Sequence, residues 1–192
     1  MKLFTQLYDR VLSWSGHRHA PRYLVLLSVA EASFFPIPTD VMLAPMVLKN
    51  PEKAWWFAFL ATIASVAGGI FGYAIGYWGL ELITPTLQSL GWIEKLSMLQ
   101  EKFNEFGVLY IFVAGFSPVP FKLFTIAAGV SSLTFPGFVF AAIVGRGARY
   151  FLVAGLISRG GEAMAHKLRH YVEWIGWAVV ICVILLVVIL KH

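Results

Sequence analysis

The chain has 192 residues, of which 59% are hydrophobic and 13% are charged, with a mean hydropathy of +0.76 and a net charge of +5. A soluble domain carries about 25% charged residues, so this composition excludes an ordinary soluble protein and indicates an integral membrane protein. No basic stripe alternates with aromatic residues on a polar surface, which argues against nucleic-acid binding. With Cys182 as the single cysteine, a disulfide framework is also excluded.

Residues 1–22 predict an amphipathic helix in the membrane interface, followed by a basic turn. Apolar residues recur at helical spacing from Leu3 to Leu12, and polar residues occupy the opposite face. Residues 16–22 are rich in basic and turn-forming residues. Because the first segment is amphipathic rather than uniformly apolar, it is not typical of a cleavable signal peptide.

An apolar segment broken by two prolines occurs twice, in residues 23–48 and in residues 108–130. The two breaks lie 82 positions apart and share a Pro-x-Pro pair with a charged residue two positions later: Pro36, Pro38 and Asp40 in the first, Pro118, Pro120 and Lys122 in the second. As a helix, the arm before the first break would reach only about 20 Å. The hydrocarbon core is about 30 Å thick, so each segment predicts a re-entrant hairpin that turns at its prolines.

The remaining apolar segments predict transmembrane helices and their connections. Residues 55–80 predict a full span with tryptophans near its ends, as expected at headgroup depth. Gly68, Gly72 and Gly76 lie one turn apart, which indicates a groove for close helix packing rather than substrate contact. Residues 81–106 predict an amphipathic linker helix at the surface, and residues 138–157 predict a second span. A polar connection at residues 158–171 precedes a final span at residues 173–190.

These segments predict an all-α integral membrane fold made of two inverted repeats. Repeat 1 covers residues 23–80 and repeat 2 covers residues 107–158, each with a re-entrant hairpin and a transmembrane helix, and the final C-terminal helix follows. A re-entrant hairpin returns the chain to its original side, so the span after it places the second hairpin on the opposite face. The side that holds the N-terminus collects most of the lysines and arginines, which predicts a cytoplasmic N-terminus.

Five ionisable residues fall inside the predicted membrane segments: Glu31, Asp40, Lys122, Arg146 and Arg149. Each costs roughly 2.5–3.5 kcal/mol at the centre of a membrane helix, so exposure to lipid without a partner is excluded. Together they carry one net positive charge, which suits an anion with a single phosphate near the N-termini of half-helices. The two acids are candidates for proton uptake and release.

Structural roles for these residues remain open at this point. Glu31 and Asp40 could serve only to form ion pairs and to cap helices, and Lys122 could pair with either acid. Arg146 and Arg149 could extend from a shallow depth to lipid phosphates. His166 and His170 are spaced one turn apart, but the absence of a third ligand in the sequence argues against a metal site. The sequence has no nucleophile elbow, phosphate-binding loop or cofactor motif, so it favours neither an enzyme nor a cofactor-binding protein.

Three short motifs carry a family resemblance: Glu31 with Pro36-x-Pro38-Thr39-Asp40, Gly72-Tyr73-x-x-Gly76, and Ala128-Gly129. With them, residues 23–190 resemble the DedA/VTT family of SNARE-associated membrane proteins. The second family motif carries two arginines; here Phe116 and Ser117 occupy the neighbourhood of the first, and Lys122 stands in for the second. The linker, usually basic in the family, is slightly acidic here. These departures indicate a divergent bacterial subgroup.

The resemblance implies two inverted re-entrant hairpins and the transport or scrambling of phospholipid-type substrates in the bacterial inner membrane, where family members are linked to undecaprenyl phosphate recycling. We therefore expect a transporter that moves an anionic lipid or lipid-linked phosphate between leaflets. Its partners would be membrane lipids with a phosphate headgroup, and protons. Arg146, Arg149 and Lys122 would hold the phosphate, while Glu31 and Asp40 would couple its movement to protons. The alternatives are a proton-coupled transporter of small ions or solutes and a membrane scaffold without transport.

Overall fold

The structure, a computed structural model, consists of helices, and the part of the chain that it describes contains no strand. It describes residues 13–33, 38–89, 93–117 and 120–190; from residue 162 onward it gives the path of the helix and, of the side chains, only Ile181. The helices are α1 (Ala20–Ser33), α2 (Asp40–Lys49), α3 (Ala54–Ser89), α4 (Ile93–Phe116), α5 (Phe121–Val130) and α6 (Phe135–Leu190). The interfacial helix predicted for residues 3–12 lies outside the described residues.

Both predicted helix breaks are present. α1 ends at Ser33 and α2 begins at Asp40, while α4 ends at Phe116 and α5 begins at Phe121. Pro38 and Pro120 lie in these gaps; proline lacks the backbone donor and its ring clashes with the preceding turn, so a helix does not continue through it. Pro36 and Pro118 lie outside the described residues. How deeply the two breaks enter a membrane stays a prediction.

The order of the helices repeats along the chain. α2 and α5 are each 10 residues long, and each leads through a short connection into a long helix. The long helices α3 and α6 begin at residues 54 and 135, which are 81 positions apart and close to the spacing of the proline pairs. The repetition of helix order therefore follows the repetition in the sequence, while the inversion of the two halves across a membrane stays a prediction.

Among the residues that the structure describes, two helical segments are long and apolar enough to cross a membrane. Pro51–Leu82 has 32 residues and Phe135–Gly161 has 27. At about 1.5 Å per residue, both exceed a hydrocarbon core of about 30 Å. α6 breaks at Gly161, whose φ of 58° lies in the left-handed region that glycine adopts without strain. The backbone is helical again to Leu190, so the predicted final span is helical, and Ile181 is the one side chain of this span that the structure describes.

Two predicted connections differ from the observed helices. The linker predicted at residues 81–106 is divided between the end of α3 and the start of α4, and α4 continues to Phe116 as the first arm of the second hairpin. The polar connection predicted at residues 158–171 is helical apart from the break at Gly161. Pro85 lies inside α3 without ending it. The changes to apolar sequence after residues 106 and 171 contain no proline, and a change in polarity alone does not end a helix.

Helices of the first half, α1 to α3, pack against helices of the second half, α4 to α6. α1 packs on α3 and α4 packs on α6, so the first arm of each hairpin lies against the long helix of its own half. The second arms are exchanged, because α2 packs on α6 and α5 packs on α3. This exchange brings both helix breaks against α6 and thereby positions the site described below.

The glycines of α3 lie where these helices cross. Gly68 contacts the backbone of α1, and Gly72 and Gly76 contact α5. A Cβ atom at Gly76 would overlap the backbone carbonyl of Ile126, so only glycine permits this approach. The three glycines thus lie at close helix crossings.

Candidate functional site

Four of the five predicted ionisable side chains come together between the two halves. Glu31 lies near the end of α1, Asp40 begins α2, and Arg146 and Arg149 lie one turn apart on α6. Nη2 of Arg146 is 3.0 Å from Oε1 of Glu31, and Nη2 of Arg149 is paired with Oδ2 of Asp40. Each acid of the first half therefore forms an ion pair with an arginine of the second half.

These ion pairs lie inside the protein. The side chain of Arg146 is 4% exposed and that of Arg149 is 12% exposed, while Glu31 and Asp40 are 18% and 25% exposed. This burial argues against the alternative in which the arginines extend to the lipid headgroups. Buried charges are costly to desolvate, so removing one partner of such a pair leaves an uncompensated charge.

Glu31 accepts hydrogen bonds on both carboxylate oxygens. Besides its contact with Arg146, its Oε2 accepts from the hydroxyl of Thr39 at 3.1 Å and from that of Tyr150 at 3.2 Å. Threonine is a common N-cap residue of helices, and Thr39 directly precedes α2. It stands at the N-cap position but forms no capping hydrogen bond with its side chain, because its hydroxyl points to Glu31. The carboxylate thus links the two arms of the first hairpin.

Arg146 lies beside two aromatic rings that the sequence did not single out. Its Cζ lies 4.5 Å from the ring centroid of Phe121 and 5.6 Å from that of Tyr150, and its Nη1 donates to the Tyr150 hydroxyl at 3.2 Å. Cation–π contacts fix the plane of the guanidinium. Tyr150 lies four residues after Arg146, so helical spacing alone could have placed it beside that arginine. Phe121 is adjacent to the predicted Lys122.

Arg149 joins the two helix breaks. Its Nη1 donates to the backbone carbonyl of Ser117 at 2.8 Å, and its Nη2 pairs with Asp40. Ser117 immediately follows α4, where the last carbonyl groups of a helix have no partner within the helix. One guanidinium therefore binds the residue that follows α4 and the first residue of α2.

The site retains hydrogen-bonding capacity. Among the described residues, four buried side-chain atoms have no hydrogen-bond partner: Oδ1 of Asp40, Oγ of Ser65, Nε of Arg146 and Nε of Arg149. Three of the four belong to the two ion pairs. Because buried polar atoms are nearly always satisfied, these donors and acceptors indicate a place for water or for a polar ligand.

Ser65 is a further polar residue that the sequence did not indicate. It lies on the helical face of α3 that also holds Thr62 and Gly69, and it is fully buried. The Thr62 methyl group is 3.6 Å from the Cβ position of Gly147, and the Phe121 ring is 3.1 Å from that of Gly69. Ser65 therefore faces α5 and α6 on the side of the arginine pairs. The sequence feature that could have indicated Ser65 is the presence of a serine inside an apolar span.

Lys122 is the second residue of α5. It lies in the first turn of α5 next to Phe121, the residue that covers Arg146, and is partly buried. The structure thus places Lys122 one residue from the site.

The described residues contain no group of three or more His, Cys, Asp or Glu side chains that could hold a metal ion. His166 and His170 lie outside the described side chains.

Comparison with known proteins assigns the family. The VTT domain matches residues 35–159, a range that includes Asp40, both arginines, the first candidate span and residues 135–159 of the second. The chain belongs to the VTT-domain (DedA) family. Membership of this membrane-associated family, together with two helices long enough to span a bilayer, indicates a membrane protein with a transporter-like role.

Relatives of this VTT protein extend over its whole length. It is 47% identical over 192 residues to an uncharacterized protein of Haemophilus influenzae and 44% identical over 191 residues to one of Histophilus somni, with 100% of both chains covered in each case. An uncharacterized protein of Methanocaldococcus jannaschii is 24% identical over 132 residues, which are 68% of this chain and 79% of that protein. No solved structure matches. The full-length bacterial relatives agree with a divergent bacterial subgroup.

Proposed function

We propose that this VTT protein moves an anionic lipid or lipid-linked phosphate between the leaflets of the bacterial inner membrane. The observation that carries the proposal is the pair of buried arginine–acid contacts at the two helix breaks, with an unused Nε donor on each arginine. Guanidinium groups bind phosphate, like carboxylate, through two parallel hydrogen bonds. Arg146 and Arg149 project from successive turns of one helix and are placed to share one phosphate.

The acids would compete with the substrate for the arginines. Without substrate, Glu31 and Asp40 neutralise Arg146 and Arg149. A phosphate that enters through the unused Nε donors would take over a guanidinium and release its carboxylate. A buried carboxylate without a partner is costly, so the released acid would take up a proton. Substrate binding and proton uptake would then be linked.

The same exchange would free the two halves to move. Glu31 and Asp40 belong to the first half and Arg146 and Arg149 to the second, so both ion pairs cross between the halves. In transporters built from inverted repeats, substrate lies where the repeats meet, and one half rocks against the other around it. We infer the same movement for the present chain, as a multi-pass protein with two inverted re-entrant hairpins.

Leaflet exchange in proteoliposomes tests the proposal. Labelled phosphatidylglycerol and polyprenyl phosphate would be followed for the wild type, for Arg149→Gln and for Arg159→Gln. Arg159 is an exposed base outside the site and provides a matched loss of one charge. We expect Arg149→Gln to lower exchange at least tenfold and Arg159→Gln to leave it unchanged, with both variants folded by their melting temperature.

The alternatives give different results in the same vesicles. Wild-type exchange in Arg149→Gln would contradict a phosphate site at this arginine. Proton-linked uptake of a water-soluble ion, with no lipid exchange, would instead identify a small-ion or solute transporter. A protein that moves neither lipid nor solute would be a membrane scaffold.

A further inference from the structure

A cavity lies at the end of α2 that is opposite to the two arginine–acid ion pairs. It has a volume of about 480 Å³ and opens between the turn before α1, the end of α2 and the start of α3. It shares no residue with the ion pairs. The segment Pro51–Leu82, which is long enough to span the membrane, begins at its wall. The cavity therefore lies at one end of a span, where a bilayer has its headgroups.

The rim of this cavity is basic. His17, Arg18, Lys49 and Lys53 line it, all four are exposed, and the described lining residues include no acid. The bases come from three separate parts of the chain: the turn, the last residue of α2 and the 3₁₀ turn Pro51–Lys53 that follows it. Their convergence on one cavity favours an anion, because the side chains of Arg18, Lys49 and Lys53 carry charges of the same sign.

The floor of the cavity is apolar. Met46 and Phe57 are 2% and 4% exposed at its base, and Trp56 stands 54% exposed at its edge. Tryptophan is typical of the headgroup region, where its ring contacts apolar chains and its N–H remains in contact with polar groups. An apolar floor beneath a basic rim matches a ligand with a phosphate next to hydrocarbon.

We propose that this cavity binds the phosphate group of an anionic ligand at the membrane surface, separately from the site between the halves. The shared chemistry is a phosphate that contacts Lys49, Lys53 and Arg18, either in a lipid headgroup or as free phosphate. Basic pockets at helix ends bind anionic headgroups in this manner. Because binding at equilibrium is at issue, the inference does not depend on whether the protein moves lipid between leaflets.

Native mass spectrometry of the purified full-length protein tests this site. Binding of phosphatidylglycerol, phosphatidylcholine and inorganic phosphate would be compared for the wild type, Lys49→Gln, Lys53→Gln and Arg159→Gln. A surface lysine contributes a factor of about five to the binding of an anionic headgroup. We expect Lys49→Gln and Lys53→Gln each to weaken phosphatidylglycerol binding by about that factor, and Arg159→Gln to leave it within twofold.

The outcomes distinguish a lipid headgroup site, a site for free phosphate and a diffuse attraction that involves no specific site. Selective, lysine-dependent binding of phosphatidylglycerol that millimolar phosphate does not displace identifies a lipid headgroup site. Lysine-dependent binding of inorganic phosphate with equal affinity supports the anion site and identifies free phosphate as its ligand. Equal binding of the two lipids, or equal losses in Arg159→Gln and Lys49→Gln, would overturn the proposal, because the attraction would then be diffuse.

Discussion

At the scale of single residues, the central feature is that every charge of the two ion pairs is matched across the halves. Glu31 shows how fully one acid is used, since an arginine, a threonine and a tyrosine all donate to it. Arg146 is held in turn by two aromatic rings. Such a network fixes the geometry of a charged group only while each partner is present, because a lone buried charge is strongly destabilising.

This dependence predicts a specific pattern of stability for the Glu31–Arg146 pair. Arg146→Met should lower the free energy of unfolding by about 3–5 kcal/mol, because the Glu31 carboxylate is left without its charged partner. The double variant Arg146→Met with Glu31→Gln should recover part of that loss, since both charges are then absent. Melting temperatures in detergent provide the measurement, with Arg159→Met as the exposed control. Equal stability of the single and double variants would show that the two side chains do not interact.

At the scale of helices, close backbone packing holds the breaks in place. α3 approaches α5 at Gly76, and α6 approaches α4 at Gly145, where a Cβ atom would lie 2.5 Å from the carbonyl oxygen of Phe112. Gly145 immediately precedes Arg146, so the crossing of α6 and α4 fixes where the arginine lies relative to α4. In a membrane, small residues at such crossings replace the hydrophobic driving force that acts in water.

Two glycines of α3 provide a matched test of this packing. Gly76→Ala places a methyl group against the backbone of α5, and overpacking of this kind costs typically 1–3 kcal/mol. Gly79→Ala meets no atom within 4 Å in the described structure, and alanine is the better helix former, so it should be neutral or slightly stabilising. Thermal melting of the two purified variants would distinguish them. Similar melting temperatures would contradict a tight α3–α5 crossing.

At the scale of the whole molecule, the sequence predicted the elements better than their contacts. The proline pairs predicted both helix breaks, and their 82-residue spacing predicted the repeated helix order, because these features depend on local backbone chemistry. The exchange of second arms between halves has no local signal, so the pairing of Glu31 with Arg146 could not be assigned in advance. Tyr150 and Ser65 each had a local signal, in the helical spacing from Arg146 and in a serine within an apolar span. That Tyr150 donates to Glu31 and that Ser65 faces α5 and α6 depends on long-range packing, which the sequence does not show.

The pairs that cross between the halves also predict how transport depends on protons. Glu31→Gln and Asp40→Asn keep the shape and most hydrogen bonds of each acid but hold it in the neutral state. Both variants should fold and bind substrate, since the arginines become available to phosphate. They should lose the response of leaflet exchange to an imposed proton gradient, because the acid that takes up the proton is absent.

Exchange would be measured in proteoliposomes with and without a pH gradient, with Glu52→Gln as a control. Glu52 is an exposed acid in the 3₁₀ turn before α3, outside both ion pairs, so its loss should leave the gradient response intact. The single variants also separate the two acids. If Glu31→Gln alone removes the response, the proton is taken up beside Arg146; if Asp40→Asn alone does so, it is taken up beside Arg149. A wild-type response in both variants would assign the acids a purely structural role in holding the two halves together.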